Sequence, residues 1–212
     1  SLLRWLAAAA RDREVHVVGD PAELGHLAAL PWVAGVADAS DGEHLLRVLT
    51  AVAETHPGGR ATAGATAAVL LVDRADRLLA PPPGDSGHER HAADAAADLL
   101  RRVVDGGGAA VLTGDPSLLT SRAVAAVREV LLLSPADRTA ALLAGVPAAD
   151  LPVHWPPGRA LRLRSGPVRE VQLPLLGGAD EGADGGADGG ADGVAAQRAA
   201  VADLAGRGSD AP

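Results

Sequence analysis

Residues 67–72 read Ala-Ala-Val-Leu-Leu-Val and run straight into Asp73. An apolar run of strand length with no polar alternation is the mark of a strand buried on both faces. Such a strand needs helices above and below it, which commits the chain to an α/β architecture with a mostly parallel sheet. The flanking sequence supplies the other layers. Helices are predicted over 1–10, 21–27, 41–54, 91–104 and 120–127. Another starts at Ser134-Pro135-Ala136-Asp137, with Ser as cap and Pro in the first turn, and ends at Gly145. Strands are predicted over 14–18, 67–72, 109–113 and 129–133. A closing hairpin pairs 160–164 with 168–173 around Ser165-Gly166-Pro167. Gly106-Gly107-Gly108 stops the helix before the 109–113 strand. Leu and Val supply 51 of the 212 residues, enough for a real core.

Absences remove whole classes of function. With no Cys there is no disulfide, thiolate metal site or Cys nucleophile. No apolar run approaches the ~18 residues of a membrane span. A formal net charge of −8 argues against a broad basic nucleic-acid footprint. Three Trp are the only aromatics, too few for a base-stacking platform, and are expected as core or interface anchors. Lys, Met, Phe, Tyr, Ile and Asn are absent as well, mostly residues of AT-rich codons, which predicts a GC-rich bacterial genome. With Ser at position 1 and no Met, the chain reads as a fragment.

A composition break comes after Leu176. Gly-Ala-Asp recurs every four residues from Gly178, Gly182, Gly186 and Gly190, and the tail holds seven acids against two Arg. The expected organisation is a folded body over 1–176 and a flexible acidic tail over 177–212. The four-residue period differs from the nine-residue calcium-binding repeat. His88-Glu89-Arg90-His91 spaces its histidines three apart, not the four of a helical zinc pair, and reads as loop histidines rather than a metal site.

Asp73 is the residue most suggestive of chemistry. A carboxylate at the end of a buried parallel strand lies where such sheets bind ligands, although alone it reads more often as a surface Asp capping a strand. Its company narrows the choice. In order, the chain carries LLVDRADRLL and a three-glycine break before AAVLTGDPSLL. VREVLLLSPADRTAALLAGVP and LPVHWPPGRALRLRSGPVREVQLPL come next. From Val69 to Pro174 this succession resembles the FtsK/SpoIIIE family of RecA-like motor ATPases, including the type VII secretion ATPases. SLLRWLAAAARDREVHVVGD is similar to the helix and second strand after the phosphate loop in that family.

The resemblance implies an incomplete RecA-like P-loop NTPase fold that lacks its phosphate-loop strand. That strand lies between the sensor strand and the next, so 109–113 and 130–133 are expected not to pair. ATP and Mg²⁺ are implied as ligands of the intact protein, with Asp73 holding Mg²⁺ through water and Thr113 facing the γ-phosphate. Ser1 is implied as a Mg²⁺-side phosphate-loop residue, and Arg159 and Arg128 as contributors of positive charge. Arg122 is a further arginine-finger candidate, against the commoner role of a solvated helix arginine. The implied partners are a ring-forming homo-oligomer or tandem ATPase modules, acting on translocated DNA or secreted protein. The implied location is the cytoplasm, at the inner face of the membrane through upstream segments.

Two departures point to a degenerate site. Arg74 stands where the family carries an acid that orients the attacking water, and an arginine cannot be a general base. Asp76 lies a step too far along the turn to substitute, and the sensor strand ends Thr113-Gly114-Asp115 with no Gln. The alternative implied is a non-catalytic module that keeps the fold to bind or regulate a partner ATPase.

Overall fold

The computed structural model describes residues 6–7, 10–55, 68–79, 87–133, 138–152, 154–163 and 167–173. Ser1, the predicted cap at 134–137, the hairpin turn at 164–166 and the acidic tail lie outside them.

Four strands form a parallel sheet: β1 (Val15–Gly19), β2 (Val33–Asp38), β3 (Val69–Val72) and β4 (Ala109–Leu112), in the spatial order β2-β1-β3-β4. The heart of the apolar run 67–72 is thus β3, inside the sheet, where Leu70 and Leu71 are wholly buried. Its two faces serve different cores. Val15, Val17 and Leu71 pack with Leu24, Leu27 and Leu30, from the helical turns that come after β1. Val18, Leu70 and Val72 face the other way, onto two long helices, α2 (Gly42–Thr55) and α4 (Gly87–Asp105). Leu45, Leu49 and Val52 of α2 meet Ala96, Leu100 and Val103 of α4 there, each set at the three- and four-residue spacing of one helical face. Two short helices sit directly after strands: α1 (Pro21–Leu24) after β1 and α3 (Asp76–Leu79) after β3.

The second sheet is antiparallel, with order β5-β6-β7: β5 (Val130–Leu133), β6 (Arg159–Leu163) and β7 (Arg169–Gln172). The predicted hairpin is β6-β7. Leu161 and Leu163 bury a smaller core with Val130, Leu132, Trp155 and Ala141, the last on α5 (Arg138–Leu143). Among the described residues β4 pairs with β3 and β5 with β6, and β4 and β5 do not pair with each other. No helix among the described residues is long and apolar enough to cross a membrane.

Differences from the sequence-based expectations are local. β2 is a strand that the residues do not announce, because Val-Ala-Gly-Val-Ala-Asp lacks a strong strand signal and gains its conformation by pairing with β1. The helix predicted over 120–127 is replaced by 3₁₀ turns, Pro116–Thr120 and Arg122–Ala126. The helix predicted over 91–104 begins earlier, so that residues 88–90, expected in a loop, belong to α4.

The glycine break before β4 is demanded by close approach. Gly107 has φ +92°, and a Cβ on Gly108 would fall 2.9 Å from both Val103 Cγ1 and the Val103 carbonyl oxygen. Gly108→Ala is expected to destabilise the fold by about 1–3 kcal/mol, as overpacking against backbone does, read as a lower urea midpoint.

Candidate functional site

The carboxyl end of β3 is tied to the ends of both neighbouring strands. Asp73 donates its N–H to the Val18 carbonyl at 2.8 Å, and Thr113 donates to the Val72 carbonyl at 2.9 Å. Ala75 donates in turn to the Thr113 carbonyl at 2.7 Å. These bonds carry the sheet's ladder one turn past β3 and bring together two predicted residues 40 positions apart. The Thr113 hydroxyl donates to Asp73 Oδ1 at 2.5 Å and accepts the Arg74 N–H at 3.2 Å. Asp73 is half-buried, and no described residue donates to its second carboxylate oxygen.

Gly19, the last residue of β1, lies against this turn. A Cβ there would stand 2.5 Å from Leu24 Cδ1 and 3.0 Å from Asp73 Cβ, so the absent side chain lets β1 and α1 close on the aspartate. Asp20 caps α1 by accepting the Ala22 N–H at 2.8 Å, which fixes where Glu23 falls. Glu23 meets the guanidinium of Arg74, whose Nη2 lies 3.3 Å from Glu23 Oε1 with both side chains about half exposed. Arg74 itself has φ +50°, the left-handed conformation that residues with a Cβ seldom adopt.

Asp76 has a structural occupation. Its Oδ1 accepts the Asp115 N–H at 3.2 Å and would stand only 2.6 Å from a Cβ placed on Gly114. It thereby pins the loop leaving β4. Asp115 caps the 3₁₀ turn after it, and the Ser117 hydroxyl, then the Ser117 amide, hold its carboxyl below the ordinary value. At the end of β2, Asp38 is likewise held low by the amide and hydroxyl of Ser40. The rim is therefore acidic, with Asp20, Glu23, Asp38, Asp73, Asp76 and Asp115 at or near four strand ends.

The other predicted residues are placed elsewhere. Arg159 opens β6 and hydrogen-bonds Glu170 on β7. Arg128 is exposed just before β5, and exposed Arg122 pairs with Asp94 at 3.2 Å. No described contact joins any of the three to Asp73. Gly19 and Glu23 are contributors that the sequence alone does not single out. The Gly-Asp-Pro turn marks their place, but nothing local announces partners about 50 residues away.

No group of three or more His, Asp or Glu among the described residues could enclose a metal ion. One carboxylate with an oxygen left for water does fit Mg²⁺, which keeps most of its waters and takes one or two protein carboxylates beside substrate phosphates.

No protein-family model and no curated sequence matches the chain. Solved structures do. The whole chain superposes on EssC (ATPases 2 and 3) from Geobacillus thermodenitrificans with a TM-score of 0.65 and 14% identity. The fold is that of the EssC ATPases. At this identity the fold is what is shared, and the chain spans 42% of the EssC chain's length. A second neighbour is the pCW3 conjugation coupling protein TcpA, in a monomer form with ATPγS. It matches over 80% of this chain and 54% of its own, at a TM-score of 0.55 and 12% identity. The partial RecA-like α/β architecture implied by the FtsK/SpoIIIE resemblance is thus present in the EssC-like fold.

Proposed function

We propose that the chain is a nucleotide-binding part of an FtsK/SpoIIIE-type motor ATPase, with residues 1–176 as the ATPase portion and 177–212 as an acidic tail. The observation that carries this reading is the Asp73–Thr113 pair at the carboxyl end of a parallel sheet with an EssC-like fold. Asp73 is suited to hold the Mg²⁺ of Mg·ATP through water, the ion supplying charge neutralisation on the phosphates. Thr113 orients that carboxylate and stands ready beside the terminal phosphate. Ser1, Arg128 and Arg159 belong to the same proposal. Arg159 must first exchange Glu170 for a phosphate, a small cost for a surface pair.

Arg74 in place of a water-orienting acid makes the module a slow hydrolase. It acts with ring or tandem partners at the cytoplasmic face of the membrane, on translocated DNA or protein. Arg74 also favours a second reading, a non-catalytic module that binds a neighbouring ATPase. Undetectable hydrolysis by the full-length protein, with Mg·ATP still bound, would select that reading.

Calorimetric titration of the full-length protein with Mg·ATP tests the site. Asp73→Ala and the near-isosteric Asp73→Asn are expected to weaken binding by about tenfold or more, the scale of a lost charged contact. Equal affinity in wild type and both variants removes Asp73 from the site and the proposal with it.

A further inference from the structure

Arg74 is the one non-glycine residue among those described with positive φ, and its side-chain contact does not require that conformation. Its backbone is fixed by the hydrogen bond to Thr113 and by those of Asp73 and Ala75 on either side. Glycine takes this conformation without strain, so the sequence keeps a long cation where a side chain is disfavoured. The guanidinium meets the Glu23 carboxylate, and an ion pair between half-exposed groups contributes little stability. The backbone hydrogen bonds hold the turn whatever side chain stands there, so the arginine itself contributes little to offset the strain in the resting molecule.

The surroundings supply a reason. The rim carries the acids Asp20, Glu23, Asp38, Asp73, Asp76 and Asp115, and the chain contains no lysine anywhere. A polyphosphate reaching this end of the sheet is repelled unless cations meet it. Mg²⁺ on Asp73 is one such cation. Arg74 is the adjacent residue, its amide on the same Thr113 hydroxyl that holds the Asp73 carboxylate. Its guanidinium offers the paired donors that match phosphate oxygens, and a weak surface partner is easily exchanged for them.

We propose that Arg74 is a phosphate-binding residue, its guanidinium leaving Glu23 for the terminal phosphate of a nucleotide bound beside Asp73. Glu23 is the resting partner that competes with that phosphate. The residue that replaces the catalytic acid therefore supplies affinity in its place. This inference rests on the nucleotide reading above.

The test is titration of the full-length protein with Mg·ATPγS, alongside thermal melting without nucleotide. Arg74→Gly is expected to weaken Mg·ATPγS binding by about tenfold or more and to raise the melting temperature by a few degrees, because the left-handed strain is relieved. A merely structural arginine would give the rise in melting temperature with Mg·ATPγS binding unchanged. Glu23→Gln, which removes the competitor, is expected to tighten binding several-fold, and Arg77→Ala, one turn away on α3, to leave it unchanged. If Asp73→Asn loses affinity while Arg74→Gly keeps it, this inference is overturned and the nucleotide site stands. If the wild type binds no Mg·ATPγS, both fall together.

Discussion

Exchanging Arg74 for Glu, in a protein that also carries Glu23→Gln, is expected to raise ATP turnover above its basal level by about 10²–10⁴-fold, the usual contribution of a positioned general base. The backbone at position 74 is set by bonds that do not involve its side chain, namely its own N–H to Thr113 and the flanking amides of Asp73 and Ala75. A carboxylate placed there starts from the same Cα, next to the residue proposed to hold Mg²⁺. The second substitution is needed because the new carboxylate would otherwise face Glu23, which in the native chain pairs with the arginine. Steady-state phosphate release reads the result. The Michaelis constant is expected to rise with the turnover number, because the cation proposed to bind phosphate is lost as the base is gained. Turnover unchanged in the double variant would show that the missing acid is not what limits hydrolysis.

Leu71→Ala is expected to destabilise the protein by about 2–5 kcal/mol, a large part of the roughly 5–15 kcal/mol that holds a domain folded. Leu71 is wholly buried in β3 and belongs to the cluster of Val15, Val17, Leu24, Leu27 and Leu30. Neighbouring strands on both sides keep the backbone from collapsing into the space, so most of the cavity persists. The same cluster seats α1 through Leu24, and α1 carries Glu23. A urea midpoint lowered by about 1 M or more is the expected reading, and a shift within error would contradict the burial of Leu71.

How much of this is legible from the residues depends on range. The inner strand β3, the glycine stop before β4, the helix ending at Gly145 and the closing hairpin all come from patterns within a few residues. Each is strong because one physical demand dominates: burial on both faces, a left-handed turn, or a tight reversal. β2 stays hidden because Ala34 and Gly35 carry little side chain to advertise a strand, and its order is borrowed from β1. The 3₁₀ turns at 116–126 share composition with an α-helix, and only tertiary packing separates the two. Asp73 and Thr113 are found one at a time through the resemblance, yet that one hydroxyl serves both Asp73 and Arg74 is a fact of three dimensions. Glu23 gives no signal, since a surface ion pair across 51 residues leaves no local trace.

The hydrogen-bond ladder that runs beyond the end of β3 has a further consequence. Because Asp73, Ala75 and Thr113 are cross-braced through their backbones, the jaw proposed to receive a nucleotide is set before anything arrives. Little ordering entropy is then left to lose on capture. Discrimination between ligands would fall instead, in the proposed site, to the half-exposed Arg74 side chain, which trades the Glu23 carboxylate for another anion while the frame beneath it stays still.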